Sequence, residues 1–398
     1  MKNSKSKKRV ALVLDNTDWA YRCNMDVLAG CQQFAAEAGW DCVINPFADR
    51  ALASRQSGRS FDGVIGHASP ALAKAAGRAG VPVVNVTVNA SEDSPVLKLP
   101  AVLPDCEAAG ALAAGHLLAR GFRHFGFLGF SRNTFSRRQR KGYHAVLKRE
   151  GFSCNDHQFG MNRHIANAEG WESFTSKLEE WVDTWTLPIG LYVTEDLPCR
   201  YLIDICQSKG LQVPQDVAIV GSHDDVVICT SSSPTLSSID HGYLEIGYRA
   251  AALLQQLMSG KNPPVDPVLV APVELIPRQS TDAFGVEDQI VRKALRYIAE
   301  SSHQMIRVND VARAVATTRR TLERRFKDTL NRTIADEIGR FRIERAKRYL
   351  VESEAALKVV ALDAGFTDAN HFYKTFVRVE GVSPTQFRQR HRRGHASR

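Results

Sequence analysis

The sequence predicts a two-lobed α/β region followed by a smaller all-α domain built on a duplicated helix-turn-helix. Three observations predict it. Short apolar runs alternate with amphipathic stretches through the first 277 residues, helical patterns alone fill the chain after residue 286, and two segments of that last part resemble each other. With 398 residues and 44% hydrophobic side chains the chain suits two or three domains rather than one core.

The alternation opens with Val10 to Leu14 as a strand and a helical stretch to Ala38. Strands at Cys42 to Ile44, Gly63 to Ile65 and Val81 to Val88 follow. It restarts after Asp105 with a helix to Arg120, a strand His124 to Phe130, a helix Arg137 to Glu150, and strands at Ile189 to Val193 and Val217 to Gly221. A strand Leu236 to Ile239, a helix Tyr243 to Met258 and a strand Val268 to Ile276 complete the lobes by crossing back, with a cleft between them. Ligands of open parallel sheets sit beyond the carboxyl ends of the strands, which directs attention to 15–22, 132–140, 195–196 and 222–225. Those loops carry Asp, Arg, Gln, His, Tyr and Trp, the side chains that bind sugar hydroxyls in pairs and stack on sugar faces. Tyr21 and Arg138 are candidates on this ground. Capping of the following helix explains Asp and Asn at the same places.

Beyond Pro277 the polar run Arg278 to Gly285 reads as a linker. The expected organisation is a basic tail 1–8, a two-lobed domain 9–277, a linker 278–286, a helical domain 287–392 and a tail 393–398. Helices are expected at 287–301, 307–314, 318–329, 333–351, 356–363, 368–379 and 384–391. Val311 and Ala312 are echoed by Val360 and Ala361, and Leu322 and Phe326 by Phe372 and Phe376, about fifty residues apart. Each set is a helix-turn-helix, with Thr318 and Asp368 as N-caps of the second helices and Gly365 at a left-handed turn position. The second helix of such a unit enters the DNA major groove, so the candidate DNA contacts are Arg319, Arg320, Glu323 and Arg324 on the first unit and Ala369, Asn370 and Lys374 on the second.

Charge agrees with this division. Residues 285–398 hold 24 Lys and Arg against 14 Asp and Glu, whereas the first 284 hold 28 against 29. A basic segment beside a near-neutral one is the footprint of a nucleic-acid module joined to a second function. The richest apolar stretch, Ala108 to Ala119, is far too short to span a bilayer, and the segment after Lys2 to Arg9 is too short for a secretory core. A cytoplasmic protein is expected. The eight cysteines, scattered from Cys23 to Cys229 without a Cys-x-x-Cys pair, are expected to be free buried thiols, with no metal site and no cofactor. No dinucleotide, phosphate-loop or nucleophile-elbow motif is present, and neither His67 with Ser69 nor Asp224 with Asp225 assembles a nucleophile and base. A catalytic function is therefore not expected.

Asp105 opening a helix before Gly115-His-Leu-Leu118, Gly121-Phe-Arg-His-Phe-Gly-Phe-Leu-Gly129, Ser136 with Gly142-Tyr143, and Val213-Pro-Gln-Asp-Val-Ala-Ile-Val-Gly221 resemble the sugar-binding core of LacI-type repressors and periplasmic binding proteins over about 270 residues. The resemblance implies a periplasmic-binding-protein-like sensor with Asp196 and Asp224 at the ligand. It implies an arginine where Gln139 stands, between Arg138 and Arg140, and an aspartate where His223 stands. In the last domain, Leu322 with Phe326-Lys327, Arg342 with Ala346, Ala364-Gly-Phe366, Gly381-Val-Ser-Pro384 and Phe387-Arg388 resemble the AraC/XylS family. Sensor first and AraC-type double helix-turn-helix last is the order of the xylose operon regulator family, which implies a pentose such as xylose as effector. It also implies double-stranded operator DNA, a homodimer and RNA polymerase as partners, and activation of catabolic genes.

Overall fold

The computed structural model describes residues 7–14, 21–54, 61–88, 95–159, 168–231, 233–286 and 288–392. The amino lobe runs β1 (Arg9–Val13), α1 (Tyr21–Ala38), β2 (Asp41–Ile44), α2 (Ala48–Ala53), β3 (Gly63–Gly66), α3 (Pro70–Ala79), β4 (Val83–Asn85) and β5 (Val102–Pro104). The carboxy lobe runs α4 (Cys106–Ala119), β6 (His124–Phe130), α5 (Thr134–Arg149), β7 (Asn155–Phe159), α6 (Ala168–Val182), β8 (Ile189–Val193), α7 (Asp196–Ser208), β9 (Val217–Ser222), α8 (Val226–Thr230) and β10 (Ser237–Asp240). The chain then returns through α9 (Tyr243–Met258), β11 (Val268–Val270) and β12 (Glu274–Ile276).

The amino-lobe sheet has the order β2-β1-β3-β4, all parallel, and the carboxy-lobe sheet β12-β10-β9-β8-β6-β7, parallel except for β12. Both faces of the carboxy sheet are buried, as parallel sheets require. Leu128, Leu191 and Ile219 face α6 and α7, while Phe127, Tyr192 and Val220 face α4 and α5. The chain crosses between lobes after β5, β10 and β11. The stretch Val268 to Ile276, expected as one strand, is two: β11 pairs with β5 and β12 with β10. Pro272 lies between them without an N–H to continue a ladder. The sequence reading marks no element between Glu150 and Ile189, where β7 and α6 lie. Helix α5 starts three residues ahead of expectation because Asn133 caps it, accepting from the Ser136 amide at 3.0 Å. Helices α4 and α5 touch backbone to backbone, since a Cβ on Gly142 would meet the Glu107 carbonyl at 1.9 Å and one on Gly110 the Gln139 carbonyl at 2.0 Å. That approach fixes the face of α5 turned to the cleft.

The last domain contains α10 (Gln289–Ser301), α11 (Val308–Ala314), α12 (Arg319–Leu330), α13 (Ile334–Glu352), α14 (Leu357–Asp363), α15 (Ala369–Glu380) and α16 (Pro384–Arg392). Each of the seven expected helices is present with its start shifted by at most two residues, because the expected first residue is usually the cap. Thr318 accepts from the Thr321 amide at 3.2 Å and Asp368 from the His371 amide at 2.8 Å. Two cores result, one under α10 to α12 and one under α13 to α16. Arg342 of α13 joins them. Its buried guanidinium donates to the carbonyls of Ser302, Gln304 and Ile306 at 3.2, 3.0 and 3.2 Å and lies 5.9 Å over the Phe366 ring.

The segment 278–286 departs from the linker expectation. Gln279–Thr281 form a 3-10 turn with Ser280 and Thr281 buried, and Phe284 and Val286 enter the core of the helical domain. Its buried polar residues bond the carboxy lobe: Ser280 Oγ donates to the Ile219 carbonyl at 2.6 Å, and Arg120 Nε donates to the Thr281 carbonyl at 2.6 Å. The helical domain also rests directly on the lobe, where Arg123 donates to the Thr329 carbonyl at 3.0 Å.

Gly365 has φ +91°, and a Cβ there would meet the Ser302 carbonyl at 2.2 Å. Gly365→Ala is therefore expected to destabilise the helical domain by about 2 to 4 kcal/mol, through the left-handed backbone and the clash together. Urea unfolding followed by circular dichroism checks it, and a midpoint matching the parent chain refutes it.

Candidate functional site

The carboxyl ends of β6, β8 and β9 meet the amino lobe at a cleft whose centre is His223. Its backbone has φ 103° and that of Asp224 φ 51°, two consecutive non-glycine residues in the left-handed region. Such strain persists only where surroundings impose it, and it concentrates at ligand sites and switches. The surroundings are explicit. The His223 amide donates to the Ile239 carbonyl at 3.0 Å, the Asp224 amide to Ser238 Oγ at 3.0 Å, and the Asp225 amide to the Asp196 carboxylate at 2.8 Å.

The His223 ring stacks on Phe135 of α5, with centroids 5.0 Å apart and planes 11° apart. Its Nε2 lies 3.1 Å from the Glu195 carboxylate, and its Nδ1 lies 2.9 Å from the Tyr243 hydroxyl and 3.2 Å from the Cys23 thiol. Tyr243 opens α9 and Cys23 lies in the first turn of α1, both in the amino lobe, so this one side chain spans the cleft. Phe135 packs with Val88, Ala101 and Leu103 from the amino-lobe side. Arg138 lies one turn beyond Phe135 on the same face of α5, close enough to influence the Cys106 thiol. It is half-buried and has no ion pair or hydrogen bond among the described residues.

The other expected ligand residues sit differently. Asp196 is buried, accepts from Ser238 Oγ at 2.6 Å as well as from the Asp225 amide, and is pushed up to about 6 by burial. Asp224 pairs with Arg278 at 2.7 Å. Both carboxylates thus have protein partners that tie down the β9–α8 turn. Gln139 is wholly buried. Its Oε1 accepts from Ser222 Oγ at 3.0 Å and from the Tyr192 hydroxyl, while its Nε2 has no hydrogen-bond partner among the described residues. Tyr21 opens α1, but its side chain and the loop 15–20 lie outside the described residues. Glu195 and Phe135 fall in the stretches 195–196 and 132–140 that the strand ends point to, whereas Tyr243 and Cys23, at the starts of helices returning to the cleft, are not singled out by the sequence.

The second site is the outer face of the helical domain. Helix α12 exposes Arg320 and Arg324, neither with a partner among the described residues, while Arg319 and Glu323 form an exposed ion pair at 2.8 Å. Helix α15 exposes Asn370 and Lys374, and beside them His371 and Tyr373, which sequence reasoning passed over. Leu322 with Phe326 and Phe372 with Phe376 hold the opposite faces in the two cores. Both second helices therefore present polar residues with free hydrogen-bonding groups from their first two turns.

One further cluster, His144, Cys154 and Asp156, has the spacing of metal ligands. Arg140 donates to Asp156 at 2.6 Å and His144 lies 2.8 Å from it, so the carboxylate already has a counter-charge and a donor.

Burial disfavours the His223 cation, but the neighbouring Cys23 and Glu195 outweigh it and hold the imidazole well above its ordinary 6.5. A raised folded-state value stabilises the chain fully below about pH 6.5 and loses that contribution as pH rises through the higher value. Between about pH 6 and 9 the melting temperature should fall more steeply for the parent chain than for His223→Gln. Parallel curves in a thermal melt series refute this.

Models of known families match this layout. The model described as periplasmic binding proteins and sugar binding domain of LacI family matches residues 7–169, that of a periplasmic binding protein-like domain 114–281, and that of a helix-turn-helix domain 311–390. The xylose operon regulatory protein of Haemophilus influenzae is 29% identical over 292 residues, 73% of this chain and 74% of that one. That of Escherichia coli strain K12 is 26% identical over 389 residues, 96% and 97%. Among solved structures, a xylose-binding transcription activator xylR superposes with TM-score 0.59 at 24% identity, covering 97% of this chain and 98% of that one. The chain is a sugar-responsive DNA-binding transcription regulator in which a periplasmic-binding-protein-like sensor, similar to that of LacI-type proteins, precedes a helix-turn-helix domain of AraC type.

Proposed function

We propose that the chain activates pentose-utilisation genes in the cytoplasm, with xylose or a close relative as effector and without a catalytic step of its own. The observation that carries this is end-to-end similarity to xylose operon regulatory proteins in a chain with a polar interlobe cleft and two outward-facing recognition helices. The effector lies between the lobes, against Phe135, with Arg138, Glu195, His223 and Tyr21 as its polar contacts. Gln139 Nε2, Asp196 and Asp224 form the floor beneath it. Ligand favours a closed arrangement, and a homodimer in that arrangement presents its DNA-binding domains to paired half-sites beside RNA polymerase.

On DNA, α12 and α15 enter successive major-groove segments. Helix α13, about 28 Å long at 1.5 Å per residue, sets their separation. Arg320 and Arg324 are placed to read guanine, Asn370 to read adenine, and Lys374 to contact phosphate or guanine. Arg319 and Glu323 adjust that face through their ion pair.

A thermal-shift screen of xylose, arabinose, ribose and glucose on the purified full-length chain tests the sensor. Xylose should raise the melting temperature, since saturation at a hundred times Kd stabilises by about 2.7 kcal/mol. A chain indifferent to every sugar overturns the reading, and consumption of the sugar overturns its non-catalytic part. On a duplex selected by the chain from a random pool, Arg320→Ala or Arg324→Ala should cost about 1 to 3 kcal/mol at one base position. Equal weakening on all sequences would make them phosphate contacts.

A further inference from the structure

The strained turn at the cleft and the segment leading to the DNA-binding domain touch each other directly. His223 faces the amino lobe through Tyr243 and Cys23. The next residue, Asp224, pairs with Arg278 at 2.7 Å, with both side chains largely buried. Arg278 is the first residue of the segment 278–286 and has other anchors on the same lobe. Its guanidinium donates to the Leu236 carbonyl at 2.8 Å, and its amide to Ser237 Oγ at 2.7 Å. Ser237 Oγ in turn lies 2.7 Å from Thr281 Oγ1, which lies 3.0 Å from His116 Nε2. Arg120, bound to the Thr281 carbonyl, accepts at its own carbonyl from the Gly285 amide at 3.1 Å. Phe284 and Val286, on either side of Gly285, are core residues of the helical domain.

We infer that the Asp224–Arg278 ion pair is the coupling element of this regulator, transmitting the position of the His223 turn to the segment that carries the DNA-binding domain. The inference rests on the regulator reading above and adds to it a named route. Consecutive residues 223 and 224 share a backbone held in a sparsely populated conformation, His223 contacting the amino lobe and Asp224 contacting Arg278, so they cannot move independently. Any rearrangement at the lobe contact that rotates His223 displaces the Asp224 carboxylate. A buried carboxylate does not leave its guanidinium partner without a large desolvation cost, so Arg278 moves with it. Arg278 acts as a positioning residue, since it reaches the cleft only through Asp224. Energetic coupling of this kind needs a shared element that both sites bias, and the turn with its ion pair is one.

A double-mutant cycle on the full-length chain tests it without knowledge of the effector. His223→Gln perturbs the turn, and hydrogen exchange at the amides of Ser280, Thr281 and Gly285 reads the segment. His223→Gln is expected to change their exchange by fivefold or more in the parent chain and by less than twofold in the Arg278→Met background. Arg278→Lys, which keeps the charge, should restore part of the response. An equal change in both backgrounds, or none in either, overturns the inference. Circular dichroism establishes that each variant is folded; should Arg278→Met not fold, Asp224→Asn replaces it with the same expected loss of coupling. A chain that no sugar stabilises would contradict the regulator reading while leaving this cycle readable, so the two failures are distinguishable.

Discussion

Anchoring of the segment 278–286 between the carboxy lobe and the helical domain is the constraint on which the rest of the molecule depends. A chain that left β12 as a free polar tether would hold its DNA-binding domain only by length. Here the segment is bonded through Ser280, Thr281 and Gly285 and plugged by Phe284 and Val286, so the helical domain has a defined seat on α4 and the start of β6. Gly121 lies beneath Leu330 and Val286 at that seat, and the buried Arg332–Glu337 pair closes its edge. A seated domain feels what the lobe does, and a tethered one does not.

The same economy governs the cleft. Residues that the LacI-type pattern assigns to ligand do two jobs in a lobe whose turn must be held in a strained conformation. Asp196 and Asp224 give their carboxylates to the turn and to Arg278, while Glu195, Tyr243 and Cys23 surround the His223 ring. The histidine in place of an acid brings a stacking partner for Phe135 and a counter-ion for Glu195, and it adds a hydrogen bond to the amino lobe. The contact of His223 with the amino lobe is thereby sensitive to protonation, a property an aspartate at that place would not have at neutral pH.

Much of this was legible in the sequence because it is local. The helix-turn-helix duplication follows from apolar spacing, and its caps Thr318 and Asp368 occupy the positions that spacing indicates. The β-α alternation likewise gave most strand positions. What escaped is long-range. A polar run such as 278–286 looks like a linker when each residue is judged by its type, since the partners that bury Ser280 and Thr281 lie some 40 to 165 residues away in sequence. The division of Val268 to Ile276 between two sheets depends on which neighbours each half meets. The cleft role of Phe135 depends on the close approach of α4 and α5, which the glycines permit but do not announce. Side-chain direction decides the rest: Arg138 and Gln139 are adjacent, yet one faces the cleft and the other the core.

The central claim is that occupancy of the interlobe cleft alters how a seated DNA-binding domain meets its operator. Titrating the full-length chain onto its selected duplex at fixed salt, with and without the sugar that stabilises it, tests this most directly. A coupled regulator predicts a change in affinity of at least about fivefold, the lower end of typical allosteric coupling. The same affinity with and without that sugar would contradict the account.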